Sequence, residues 1–234
     1  MSVVVFKDVV KKYGRIKALD GVSLEIEQGA CVGLIGVNGA GKSTIMKTIT
    51  GVISRSGGEV SVLGFDPWQH KPEMLAKIGL INESPALYPF LTGTEHLKLI
   101  QNVKKSITNA EIDEVLEKVG LGERKNDKVT GYSFGMRQRL GMAQALIGSP
   151  ELLLLDEPTN GLDPVGIRDL REIVSGFREK SGATVLISSH NLHEVGLLCD
   201  RYIFINKGKI VAITNREDLG EDLEKEFFKK IEGV

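Results

Sequence analysis

Apolar and polar residues alternate from Val3 to Ile26. Residues 3–6 read VVVF, and Val22, Leu24 and Ile26 share one face beyond a turn at Lys12-Tyr13-Gly14-Arg15. A period of two on either side of a turn predicts a small antiparallel sheet. The alternation then gives way to an unbroken apolar run, Cys31-Val32-Gly33-Leu34-Ile35, which predicts a buried strand. A helix is expected to open at Lys42 and run to about Thr50, followed by a turn at Gly57-Gly58 and a short alternating strand at Val60 and Val62. From Pro85 the pattern changes. Pro85 and Pro89 punctuate a loop, Thr108 and Glu111 predict a capping box, and Ile112, Val115, Leu116 and Val119 then fall at helical spacing. A helical lobe over about 85–145 follows from this. Further on, short β-rich runs (Leu152 to Leu155, Thr184 to Ser188, Tyr202 to Ile205) alternate with helical segments around Met136 to Ile147, Val165 to Lys180 and Leu192 to Cys199. Strands alternating with helices predict a mostly parallel central sheet. The expected fold class is therefore α/β, with a small N-terminal antiparallel β subdomain and an inserted helical subdomain. Residues 1–215 are read as one domain, and 216–234 as a C-terminal helical tail, solvated from Glu217 to Lys230.

Composition narrows the classes. A chain of 234 residues builds a sizeable core without staples. Thirty basic side chains against thirty-one acidic ones give a net charge of -1, which offers no footprint for nucleic acid, so no nucleic-acid partner is expected. The two cysteines, Cys31 and Cys199, lie far apart in apolar settings and support neither a disulfide framework nor a zinc site. A reducing, cytoplasmic setting is expected. No N-terminal stretch reads as a signal peptide, and no apolar run approaches the roughly 18 residues a membrane span needs.

The chemistry begins where the buried strand ends. Gly36 to Ser43 reads GVNGAGKS, a match to G-x-x-x-x-G-K-[ST] between a predicted strand and a predicted helix. Backbone N–H groups across Gly36, Val37, Asn38, Gly39, Ala40 and Gly41 can cradle phosphates, Lys42 can reach the β and γ phosphates, and Ser43, followed by Thr44, can ligate Mg²⁺. The helix adds its positive end. The context is that of a P-loop NTPase. The run Leu152 to Leu155 ends at Asp156-Glu157, where open α/β sheets bind ligands. Asp156 is the expected Mg²⁺ carboxylate and Glu157 the group that polarises the attacking water.

Between these sites stands Tyr132-Ser133-Phe134-Gly135-Met136-Arg137-Gln138-Arg139-Leu140. This stretch resembles the signature of ATP-binding cassette (ABC) ATPases, L-S-G-G-Q followed by a basic residue, Gln and Arg. It keeps Ser133, Gly135, Gln138 and Arg139 and departs at Tyr132, Phe134 and Met136. The Y-S-x-G-M form is similar to that of exporter ATPases of the drug, bacitracin and lantibiotic type. Further likenesses stand in the family's order. Tyr13 occupies the place of the aromatic residue that stacks on adenine. Asn160-Gly161-Leu162-Asp163-Pro164 resembles the loop that crosses to the second nucleotide-binding subunit, with Asp163 among its nucleotide-facing residues. His190 resembles the switch histidine at the γ phosphate. Ile78 to Glu83 resembles the loop whose glutamine senses Mg²⁺ and the membrane partner, with Glu83 in that glutamine's place.

The resemblance implies an ATPase using ATP and Mg²⁺ in a head-to-tail dimer, where Ser133 and Gly135 of one subunit cap ATP held at Gly36 to Ser43 of the other. The second subunit is a copy or a close relative. A separate multi-span permease would hold the protein on the inner face of the cell membrane, and the expected cargo is a peptide antibiotic, lantibiotic or drug-like amphiphile for export. An importer subunit is the alternative, followed by a non-transport ABC ATPase. A metabolite kinase leaves the signature stretch unexplained, a chromosome-organising ATPase would show heptads, and a translation factor would carry two cassettes with basic linkers.

Overall fold

The structure, a computed structural model, describes residues 1–83, 85–190 and 198–218. The expected helix from Leu192 to Cys199 lies almost wholly outside the described residues, as does the tail beyond Asp218. The chain divides into two units, Met1–Leu75 with Thr184–Val234, and Ala76–Ala183.

In the first unit, β1 (Ser2–Tyr13) pairs antiparallel with β2 (Ile16–Glu27) and with β4 (Gly57–Val62), in the order β2-β1-β4. The alternation predicted this sheet correctly: Val22, Leu24 and Ile26 are all buried. Gly57-Gly58 is not the expected turn. It opens β4, with Gly57 opposite Val10, and the pairing slips between Lys7 and Val10. Asp8 takes a φ of 49° and Gly58 a φ of 81° beside this slip. A Cβ on Gly58 would lie 2.4 Å from the Asp8 carbonyl oxygen, so the glycine serves a close bulge within a strand.

Also in this unit, β3 (Cys31–Ile35) is buried at every position and runs parallel to β7 (Thr184–Ser189) and β8 (Arg201–Asn206). The antiparallel β9 (Lys209–Asn215) closes this edge against β8. Helix α1 (Lys42–Ile49) follows β3, and the short α2 (Lys71–Leu75) ends the unit's first segment. Cys31 and Cys199, distant in sequence, meet here: their Sγ atoms are 3.7 Å apart and both residues are fully buried as thiols. The Cys31 N–H donates to Asp200 and the Asp200 N–H donates back to the Cys31 carbonyl. Tyr202 donates its hydroxyl to the Cys199 carbonyl, and burial, with the Cys199 thiol beside it, pushes the phenol up to about 12.

In the second unit, β5 (Ile78–Ile81) is parallel to β6 (Leu152–Asp156). The parallel pairs of both units fit the mostly parallel sheet expected. The helices are α3 (Gly93–Val103), α4 (Asn109–Lys118), α5 (Phe134–Leu146) and α6 (Pro164–Ser181). The capping box expected at Thr108 is half made. Thr108 accepts from the Glu111 N–H, but the Glu111 carboxylate accepts from the Gly148 N–H instead of turning back. The complete box stands at the start of α3, between Thr92 and Glu95. Helix α5 lies so close over β5 that a Cβ at Gly79 would fall 2.0 Å from the Ala145 carbonyl oxygen. Gly79→Ala is therefore expected to cost about 3 kcal/mol of stability. Denaturant unfolding measures it, and an unchanged midpoint would contradict the close approach.

Candidate functional site

Strand β3 delivers Gly36 to the carboxyl edge of the sheet. A Cβ at Gly36 would meet the Ile205 carbonyl oxygen at 2.5 Å, so only glycine lets the loop leave here. Gly41, the N-cap of α1, takes a φ of 117° and brings no side-chain cap; the first turn also holds no acid. The first turn thus adds no carboxylate of its own to the positive end of the helix, which suits anion binding. Lys42 is buried, with a relative exposure of 5 %. Its Nζ donates to the Gly36 carbonyl at 2.7 Å and lies 3.4 Å from that of Val37, so the ammonium sits over the loop. Ala40 closes the turn by donating to the Val37 carbonyl, and its own carbonyl accepts from Gly208. Val37, Asn38, Gly39 and Ser43 face outward, while Thr44 is half-buried and its carbonyl accepts from Thr48.

The strand register brings His190 to the same edge. Ile35 pairs with Ser189, so Gly36 and His190 are the residues that leave neighbouring parallel strands; Ser188 and Ser189 are buried and His190 is exposed. Tyr13 ends β1 with its ring about half exposed, and the Lys11 ammonium lies 4.9 Å from its centroid.

The second unit gathers the remaining predicted residues. Ile81 pairs with Leu155, so Glu83 follows one strand at the edge where Asp156 ends, and Glu157 leaves, the neighbouring parallel strand. Glu157 is buried and takes a φ of 49°, a left-handed conformation unusual for its type. Its carbonyl accepts from the Asn160 N–H. The Asn160 side chain donates to Glu83 Oε1 at 2.9 Å, and Gln138 of α5 donates to the Glu83 carbonyl at 3.1 Å. Glu83 is thereby tied both to the signature helix and to the loop after Glu157. Neither Asn160 nor Gln138 was singled out from sequence as a partner of Glu83, because nothing local links them.

Ser133 is the N-cap of α5, accepting from the Met136 N–H at 3.2 Å, and Asp163 is the N-cap of α6, accepting from the Gly166 N–H at 2.7 Å with Pro164 following. Both residues cap helices whatever else they touch. Tyr132 is buried and donates to the Arg124 carbonyl; burial pushes its phenol up, with the Asp127 carboxylate adding to the effect. Gly135 and Ser133 line a groove of about 470 Å³ together with Phe134, Leu162, Asp163 and Val165. An ion pair between Arg139 and Asp169 joins α5 to α6 beside it.

The ABC transporter family matches residues 19–160. The chain is 43 % identical over 215 residues to the uncharacterized ABC transporter ATP-binding protein YdbJ of Bacillus subtilis, covering 92 % of this chain and 70 % of that one. It is 44 % identical over 225 residues to the lantibiotic transport ATP-binding protein SrtF of Streptococcus pyogenes, covering 96 % of each. Among solved structures it is similar to a dimeric ATP-binding cassette in a post-hydrolysis state bound to ADP and Pi. That similarity has a TM-score of 0.82 at 27 % identity over 91 % of this chain and 98 % of the other. The glycine-rich loop after β3, the Asp156-Glu157 pair at the end of β6 and these likenesses agree: the chain belongs to the ATP-binding proteins of ABC transporters and is an ATPase.

Proposed function

We propose that this ATPase powers the export of a peptide antibiotic, lantibiotic or drug-like amphiphile through a separate multi-span permease, from the inner face of the cell membrane. The observation that carries the proposal is the signature at Tyr132 to Leu140, of the exporter-like Y-S-x-G-M form and set at the capped start of α5. Similarity along 96 % of a lantibiotic transport ATPase supports it. Among the described residues no helix is long and apolar enough to cross a membrane, so a transport role calls for a partner that does.

In this reading the backbone of Gly36 to Gly41 and Lys42 hold the ATP phosphates, Thr44 stands in the next position of the helix, and Tyr13 stacks on adenine. Ser43, Asp156 and Glu83 offer oxygen donors alone, the set a hard cation takes, and Glu83 and Asp156 leave adjacent strands at one edge. Mg²⁺ held there would neutralise phosphate charge. Glu157 orients and deprotonates the attacking water, and His190 stabilises the γ phosphate. Two subunits pair head to tail, and Ser133, Gly135 and Asp163 of one complete the ATP site of the other with a hydroxyl and backbone N–H groups aimed at developing charge. The solved relative in a dimeric state supports a pairing of two subunits.

The test is to reconstitute the chain in vesicles with a candidate multi-span permease, then add a lantibiotic, bacitracin or a cationic amphiphile. A severalfold rise in ATPase rate with outward movement of one of them is expected. No response to any, or uptake in the opposite direction, overturns the export reading.

A further inference from the structure

We propose that Phe134 is a positioning residue for hydrolysis: its ring clamps the loop Asn160–Asp163 to the signature turn, and through that loop holds Glu157 in place. The proposal rests on the reading of Glu157 as the base and, for the consequence at the paired subunit, on the head-to-tail reading above.

Phe134 is where this chain departs from the glycine of the family pattern, and it remains 44 % exposed. Its ring nonetheless fills a defined place. A Cβ built on Gly161 would lie 3.0 Å from both Cε1 and Cζ of Phe134, so the ring edge occupies the space that a side chain at 161 would need. Gly161 takes a φ of 74°, a conformation that excludes most side chains, and having none it cannot anchor itself. The loop's position is therefore set by what covers and flanks it. Phe134 covers Gly161. The Asn160 amide holds Glu83, and Asp163 is fixed as the cap of α6. The Arg139–Asp169 ion pair fastens the same two helices further along.

The loop begins at the chemistry. The Asn160 N–H donates to the Glu157 carbonyl, and the Leu162 N–H to that of Thr159, so displacement at Gly161 passes over a few bonds to the general base. A ring across Ser133–Gly135 and Gly161 makes the signature turn and this loop one body. In the paired arrangement both face the other subunit, so seating the turn on ATP would seat Glu157 as well. A glycine at 134 would leave that link to the flanking hydrogen bonds alone.

The experiment compares the full chain with Phe134→Ala, Phe134→Leu and Phe134→Tyr. Hydrogen exchange at residues 159–163 is read without nucleotide, and ATPase kinetics are read with it. For Phe134→Ala, faster exchange at 159–163 with no change at 36–43 is expected, together with about a tenfold lower kcat and a KM for ATP within about twofold. Phe134→Tyr, and in part Phe134→Leu, should restore both. Unaltered exchange at 159–163, or a raised KM with kcat intact, overturns the clamp. If exchange and kcat respond as expected but Glu157→Gln forms no dimer with ATP, the clamp stands and the head-to-tail reading falls.

Discussion

Glu157→Gln is expected to keep ATP binding, lower turnover about a thousandfold, and accumulate an ATP-dependent dimer visible by gel filtration. The two side chains have the same shape, so the buried position and the φ of 49° are disturbed equally little or much in parent and variant. What changes is that an amide cannot take a proton from water. The phosphate loop lies in the other unit and keeps its own contacts, including Lys42 over Gly36. Binding and hydrolysis should therefore separate. In the head-to-tail reading, ATP that binds without being cleaved holds the paired subunits together, since the γ phosphate that would link them persists. Phosphate release measured on the purified variant decides the matter, and hydrolysis at the parental rate would remove Glu157 as the base.

Lys42→Ala should fail one step earlier. A buried ammonium contributes about 1.5–3 kcal/mol through each charge-assisted hydrogen bond, so losing it should weaken ATP binding about a hundredfold. Calorimetric titration gives the affinity directly. Thermal unfolding gives an independent reading, because a ligand that binds only the folded state raises the midpoint: ATP should raise it for the parent and scarcely for the variant. The variant without nucleotide will lose some stability, since the Gly36 carbonyl forfeits its 2.7 Å donor. ATP binding that survives intact would overturn the phosphate-loop assignment.

The sequence singles out these two candidates because each follows a strand that announces itself. Cys31 to Ile35 and Leu152 to Leu155 are buried at every position, so their apolar runs are unbroken and their ends stand out. Strand β5 was harder to see: four residues with an exposed Leu80 and a Gly79 pressed against Ala145 look like part of a loop. Strand β9 is mostly half-exposed at a sheet edge and carries no strong period. Gly57-Gly58 misled because two glycines usually mark a reversal, whereas here they admit the Asp8 carbonyl into a bulge. At Glu111 the local rule lost to tertiary structure, since the Gly148 N–H offers a partner that the sequence around Thr108 does not reveal. The ties that assemble the candidate site belong to the same class. Glu83 with Asn160, and Phe134 over Gly161, join segments only after the chain has folded.

The backbone at Glu157 sets one further condition on how this protein can change. A left-handed φ is comfortable for glycine and tolerable for asparagine, so replacement by either would relax the chain while removing the carboxylate proposed to activate water. Durability and turnover therefore pull against each other at a single residue. Selection for a longer-lived protein alone would drift toward a nucleotide-gripping but silent form, and only continued demand for transport keeps a strained acid at the end of β6.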